Sequence, residues 1–107
     1  MTYCLLLTTC PDMAVAEALA ATLVGEKLAA CVNILPGARS VYEWQGRVER
    51  DEECVLLIKS RLDRLAQLES RLLEEHPYEL PELIAVPIKE GLGPYLSWID
   101  TQLDKKE

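Results

Sequence analysis

The sequence predicts an α+β domain: a ferredoxin-like βαββαβ sandwich with an extended β-hairpin and an additional C-terminal helix. Three observations lead there. Apolar runs of strand length alternate with segments of helical periodicity in the order β-α-β-β-α-β, so two strand–helix–strand crossovers interleave around one antiparallel sheet. Gln45-Gly46 separates two strand-like segments directly, as a tight hairpin turn does. Finally, 107 residues without internal repeats, low-complexity runs or linkers fit a single domain spanning 1–107.

Each element has its own local reason. Tyr3–Thr9 is a continuous apolar run short enough for a buried strand, and Pro11-Asp12 stops it, with Asp12 placed to cap a helix. From Met13 to Glu26 the apolar positions Val15, Ala18, Leu19 and Leu23 recur at helical spacing, and Gly25 weakens or caps the last turn. Leu28–Leu35 reads as a second buried strand, broken at Pro36-Gly37, and strand character resumes at Ser40–Trp44. The return strand, Arg47–Lys59, is charged as far as Glu53 and solidly apolar over Cys54–Ile58. Such a strand is buried at one end and projects at the other, giving an arm that carries Tyr42 and Trp44. An isolated two-stranded ribbon is barely stable in water, so this arm is expected to lie on something.

Ser60-Arg61-Leu62-Asp63 resembles a capping box with Ser60 as N-cap. The helix behind it is expected to bury Leu62, Leu65, Ala66 and Leu72, with Leu68 and Leu73 as further candidates, and to pair Arg71 with Glu75. It ends at His76, because the residue before Pro77 disfavours helical geometry. Leu83–Ile88 is the last strand, and Pro87, lacking a donor, belongs on a sheet edge or at a bulge. Pro94 then opens a helix that packs Tyr95, Leu96, Ile99 and Leu103, while Asp104–Glu107 should fray.

Composition narrows the function. With 50% apolar residues and 27% charged ones the chain is not disordered. A net charge of −7, from 11 Lys and Arg against 18 Asp and Glu, excludes nucleic acid as a main partner, since phosphate binding needs a basic face. No apolar stretch approaches the roughly 20 residues of a membrane span, and the N-terminus lacks a basic region before an apolar one. Cys4, Cys10, Cys31 and Cys54 show neither CxxC spacing nor a secreted-domain pattern, which points to a reduced, cytoplasmic protein. A chain this short hides only about two thirds of its unfolded surface, so a half-apolar sequence is expected to oligomerise through the open face of its sheet.

The candidates for chemistry are few. Structural zinc takes four Cys or His ligands in closely spaced pairs, and no such pair exists here. His76, between Glu75 and Pro77, either binds a metal such as Cu(II) or simply ends a helix where a cation suits the dipole. Cys31 and His76 form the one Cys/His combination with promise for nucleophilic work, although strand cysteines are more often core. Lys59 closes the most apolar strand, where a charge needs a partner, a ligand or a path to the sheet edge. Tyr78, Glu79, Pro81 and Glu82 form a rigid polar loop of the kind that carries binding groups. Glu49–Glu53 reads as a solvated face of the arm.

Taken together, these segments resemble the CutA family of divalent-cation tolerance proteins nearly end to end. The likeness runs through Thr8-Thr9-Cys10-Pro11-Asp12, Leu28–Ile34 with Pro36-Gly37, Ser40–Gly46, Glu53, Ile58-Lys59, His76–Glu82 and Tyr95–Ile99. The resemblance implies a homotrimer, similar in build to nitrogen-regulatory PII trimers, whose hairpin arms reach neighbouring subunits, with Tyr42, Trp44 and Trp98 at the interface. It implies a role in copper or other divalent-cation tolerance, and no enzyme reaction or catalytic residue. It places a copper site at Thr8, Glu75 and His76, of which only His76 keeps a strong ligand type; Cys10 lies two residues beyond the expected cysteine position. A binding cleft between subunits is expected near Cys31, Lys59, His76, Tyr78 and Glu79. Two other readings compete. One is a PII-like signalling trimer that binds a small anionic metabolite through Lys59, Arg39 and the Tyr78–Glu82 loop and hands its message to an unidentified partner protein. The other is a small enzyme using Cys31 or Lys59.

Overall fold

A computed structural model describes residues 2–106. The elements run β1 (Tyr3–Cys10), α1 (Met13–Gly25), β2 (Cys31–Trp44), β3 (Arg47–Arg61), a 3₁₀ turn (Leu62–Arg64), α2 (Leu65–Glu75), β4 (Ile84–Ile88) and α3 (Gly93–Asp104). The strands form one antiparallel sheet in the order β2-β3-β1-β4, which is the interleaved arrangement expected from the sequence.

One face of this sheet is closed by helices. Cys4, Leu6 and Cys10 of β1 and Cys54, Leu56 and Ile58 of β3 lie under Ala16, Leu19 and Leu23 of α1 and Leu68 and Leu72 of α2. The apolar run of β1 therefore alternates in burial, and Leu5 and Leu7 point to the other face only half-covered. That second face continues through Val55 and Leu57 to exposed Leu35, Ile84 and Val86. α3 covers only the end where Tyr3 and Arg61 stand opposite each other, burying Ile99 and Leu103 against Ala30.

Several boundaries differ from the sequence reading for identifiable reasons. Asp12 caps α1 as expected, accepting from the Val15 N–H at 2.9 Å, but Gly25 does not terminate the helix by a left-handed turn. That conformation falls on Lys27 (φ 62°), because Leu28 and Ala29 both donate to the Leu23 carbonyl and fold the exit onto the core.

β2 is not interrupted at Pro36-Gly37; a bulge absorbs both residues between the Leu35–Val55 and Ala38–Glu53 pairs. Gly37 supplies the positive φ (79°), and the edge position tolerates the missing proline donor. The bulge also changes which residues face where. Cys31, Asn33 and Leu35 share a face with Val55 and Lys59, and beyond the bulge Ser40, Tyr42 and Trp44 take over that face. At the tip Gln45 (φ 52°) and Gly46 (φ 78°) form the expected two-residue turn.

Ser60 is no helix cap. β3 stays paired with β1 as far as Tyr3–Arg61, so Ser60 remains in the ladder and its hydroxyl donates to the Leu28 carbonyl at 2.6 Å. α2 starts later, without a side-chain cap, and leaves Leu62, Ala66 and Leu73 exposed. The Arg71–Glu75 pair forms at 3.0 Å. β4 begins at Ile84, while Leu83 packs against the core, and Pro87 sits on the outer strand as expected. Tyr95 stays partly exposed rather than packed. Asp104 does not fray, and the expectation for Glu107 lies outside the described residues.

Asp104 is held by Arg61, whose side chain is only 3% exposed. The guanidinium reaches Asp63 at 2.9 Å, Asp100 at 3.0 Å and Asp104 at 2.8 Å, and Tyr3 donates to Asp100 at 2.6 Å. A planar fork with several donors suits such a convergence of carboxylates. The Tyr3 hydroxyl first, and then Arg61, hold Asp100 below the ordinary aspartate value of 3.8; Arg61 does the same for Asp104. Groups with depressed folded-state values stabilise fully above their unfolded pKa and lose that contribution as pH falls through the folded one. Arg61→Met is therefore expected to lower the midpoint of urea unfolding at neutral pH. It should also flatten the loss of stability that the unaltered chain undergoes below pH 3.8.

Candidate functional site

β1 stops at Cys10, whereas β3 continues for another stretch paired only with β2. The vacated flank is taken by the segment after α2. A groove of about 520 Å³ results, walled on one side by Tyr42, Trp44, Asp51 and Glu53 and on the other by Pro77, Tyr78, Glu79 and Leu80.

The loop is fixed by His76. Pro77 pushes His76 into extended geometry (φ −74°, ψ 133°), although its N–H still donates to the Leu72 carbonyl at 2.8 Å. The imidazole turns back to the end of β1. A backbone N–H can only donate, so the 3.1 Å contact from Tyr78 N makes His76 Nδ1 the acceptor. Nε2 therefore carries the proton and donates to the Thr9 carbonyl at 2.7 Å, with Cys10 Sγ 4.0 Å away. The ring is 8% exposed and tilts against Tyr78 with centroids 4.8 Å apart.

Tyr78 in turn donates its hydroxyl to Glu53 at 2.7 Å. Glu53 is only 8% exposed, and among the described residues it has no ion-pair partner. On the arm, Tyr42 donates to Asp51 in the same manner. Among the described residues lining the groove, every ionisable side chain is a carboxylic acid or a phenol. Burial, then the Glu53 bond, raises the Tyr78 phenol well above its ordinary value, and the Asp51 bond raises Tyr42 to about 12. Burial raises the Cys10 thiol to about 11, so it is protonated at neutral pH and a poor nucleophile.

The residues singled out from sequence fall into separate places within one chain. Tyr42, Trp44, Tyr78 and Glu79 share the groove, with His76 behind it. Cys31 and Lys59 are opposite each other in the sheet, next to Leu5 rather than Thr9, ~13 Å along β1 at strand rise. Lys59 is satisfied locally by the Asn33 side chain. Trp98 lies on α3, stacked on Tyr95 at 5.5 Å.

The copper ligand set does not assemble in this chain. Thr8 is fully buried with Oγ1 unpartnered, and Glu75 turns away to Arg71 at 3.0 Å and Thr22 at 3.2 Å. Both His76 nitrogens are engaged. Among the described residues no group of three or more His, Cys, Asp or Glu side chains is placed to hold a metal ion.

Sequence reasoning missed Asp51 and Glu53. The solvated-face reading holds for Asp51 and Glu52, holds only in part for half-buried Glu49, and fails for Glu53, which is buried. The available signal was position: Glu53 directly precedes the apolar run Cys54–Ile58, where the strand enters the core.

All four tyrosines have raised phenol values in the folded chain. A raised folded-state value stabilises below the unfolded pKa of 10.0 and loses its contribution as pH rises through the folded one. Ultraviolet titration should therefore show the phenolate transitions of the folded chain displaced upward from 10.0, that of Tyr42 to about 12, and stability should decline from pH 10.0 upward. Tyr78→Phe, which leaves the buried Glu53 without its donor, should cost about 1–3 kcal/mol in denaturant unfolding.

Comparison with known proteins agrees with this architecture. Residues 4–102 match the family model described as CutA1 divalent ion tolerance protein. A relative from Yersinia pestis (strain Pestoides F), the divalent-cation tolerance protein CutA, is 47% identical over 97 residues, covering 91% of this chain and 82% of the relative. The crystal structure of CutA from Xylella fastidiosa has a TM-score of 0.93 at 48% identity, covering 95% of this chain and 98% of that one. CutA1 from Oryza sativa gives 0.95 at 40% identity, covering 99% and 97%. With the family model spanning most of its length, this chain belongs to the CutA1 family of divalent ion tolerance proteins.

Proposed function

We propose that the chain acts as a cytoplasmic homotrimer in the response to divalent cations, copper among them, binding its ligand at the arm–loop groove without catalysing a reaction. The observation that carries this reading is the sign of the groove: Asp51, Glu53 and Glu79 line it, and no basic side chain does so among the described residues. An anionic metabolite would meet repulsion there. These acids form no closed set of three ligands, so a hard divalent cation held here would keep most of its water.

The trimer is supported by two surfaces that water covers poorly. The open sheet face carries exposed Leu35, Ile84 and Val86, and the arm exposes Val41, Trp44 and Val48. Four free cysteines fit a reducing compartment. Tyr42 and Trp44, at once on the arm and in the groove, would tie assembly to ligand binding, with Trp98 a further contact.

Two measurements test the reading. Light scattering should give three times the 12.0 kDa chain mass, and a stable monomer would overturn the assembly. Calorimetry with Mn(II), Zn(II) and Cu(II) should detect binding that Glu53→Gln weakens roughly tenfold or more. Heats that are absent for all three ions, or unchanged in the variant, would sink the groove as the cation site.

A further inference from the structure

We infer that His76 is a tautomer-locked latch that positions Tyr78 over Glu53 and so shapes the groove, and that divalent cations leave its ring untouched. The part that concerns cations rests on the reading just given; the latch itself rests on geometry alone.

A metal-binding histidine needs one ring nitrogen with a free lone pair facing the ion, while the other nitrogen is held by a hydrogen bond. His76 offers no such nitrogen. Its Nδ1 lone pair accepts from the Tyr78 N–H at 3.1 Å, and its Nε2 proton goes to the Thr9 carbonyl at 2.7 Å. Taking Nε2 for a metal would remove its proton, orphan a carbonyl at the end of β1 and admit an ion to a ring that is 8% exposed. Taking Nδ1 would free the Tyr78 N–H and open the loop. The neighbouring groups add nothing that compensates. Cys10 is a buried side chain whose Sγ stands 4.0 Å from Nε2, Thr8 is buried, and Glu75 is held by Arg71 and Thr22.

What the ring does instead follows from its two partners. One belongs to β1 and the other to the groove loop, two residues beyond His76 itself. A single rigid imidazole therefore sets the distance between the sheet and Tyr78. The Tyr78 hydroxyl then reaches Glu53 at 2.7 Å on the strand that forms the opposite wall. Thr9, His76, Tyr78 and Glu53 make one chain of bonds running from the end of β1 to the arm. His76 is thus a positioning residue: it acts on the groove through Tyr78.

His76 is the chain's sole histidine, so its imidazole nitrogens give an unambiguous signal in ¹⁵N-correlated nuclear magnetic resonance. The full-length protein is expected to show the neutral tautomer protonated at Nε2, with both nitrogen resonances unmoved as Zn(II) is added past saturation of any calorimetric binding. A metal-free spectrum showing the Nδ1-protonated tautomer, or resonances that move in proportion to bound Zn(II), would overturn the inference. If Zn(II) binds nowhere and the tautomer is as stated, the latch stands and the cation reading of the groove falls.

A variant gives a second reading that folding alone does not decide. His76→Ala should raise amide hydrogen exchange at Tyr78 at least tenfold, while Leu6 and Leu56 in the sheet keep their protection. Equal exchange at Tyr78 in the variant and the parent would overturn the latch.

Discussion

The organisation of this molecule follows from one mismatch of lengths. β3 has fifteen residues and β1 has eight, and they pair from the Tyr3–Arg61 end. The inner half of β3 therefore lies between two strands, and its outer half has β2 alone. Backbone donors and acceptors on the outer flank of that second half face no strand, and the segment after α2 is drawn across the gap. The groove exists because β1 ends early. It is walled by side chains of the unsupported arm and by the loop that fills the place of the missing strand.

The same pairing constraint explains what happens to the Pro36-Gly37 break in β2. Proline and glycine at 36 and 37 end a strand only if the ladder has no reason to resume. Here the following residues find partners from Glu53 to Arg47, and an edge strand tolerates the lost donor. The bulge has a functional consequence. Without it, the aromatic side chains at 42 and 44 would face away from Asp51 and Glu53, and the arm would present acids and aromatics on opposite sides. The Pro36-Gly37 pair thus contributes to the groove from a distance, by setting which face Tyr42 uses.

The sequence was most legible where the cause is local. The Asp12 cap, the Gln45-Gly46 turn, the Arg71–Glu75 pair and the placement of Pro87 on an outer strand each depend on a few adjacent residues, and all four hold. It was least legible where register decides. Ser60 and Asp63 have the spacing of a capping box, but a ladder reaching Arg61 claims the first, and the guanidinium of Arg61 claims the second. For the candidate site, Tyr42, Trp44, Tyr78 and Glu79 are found together. Cys31 and Lys59 are separated from them by strand positions that no local pattern reveals. Glu53 looks like its acidic neighbours until the point where the strand enters the core is known.

Glu53 is also where the electrostatics of the groove become specific. Exposed carboxylates on the arm keep their hydration and contribute little beyond solubility, which is why a net charge of −7 does not by itself make a cation receptor. A carboxylate that is 8% exposed has lost much of its water, and a single phenol at 2.7 Å replaces only part of it. A cation at the proposed groove site would relieve the remaining deficit. Beyond its acids the lining is aromatic or apolar, so no basic side chain opposes positive charge there among the described residues. On the proposed reading the groove would select charge through desolvation of one acid rather than through the number of acids, with His76 holding the loop that carries the Tyr78 phenol to Glu53.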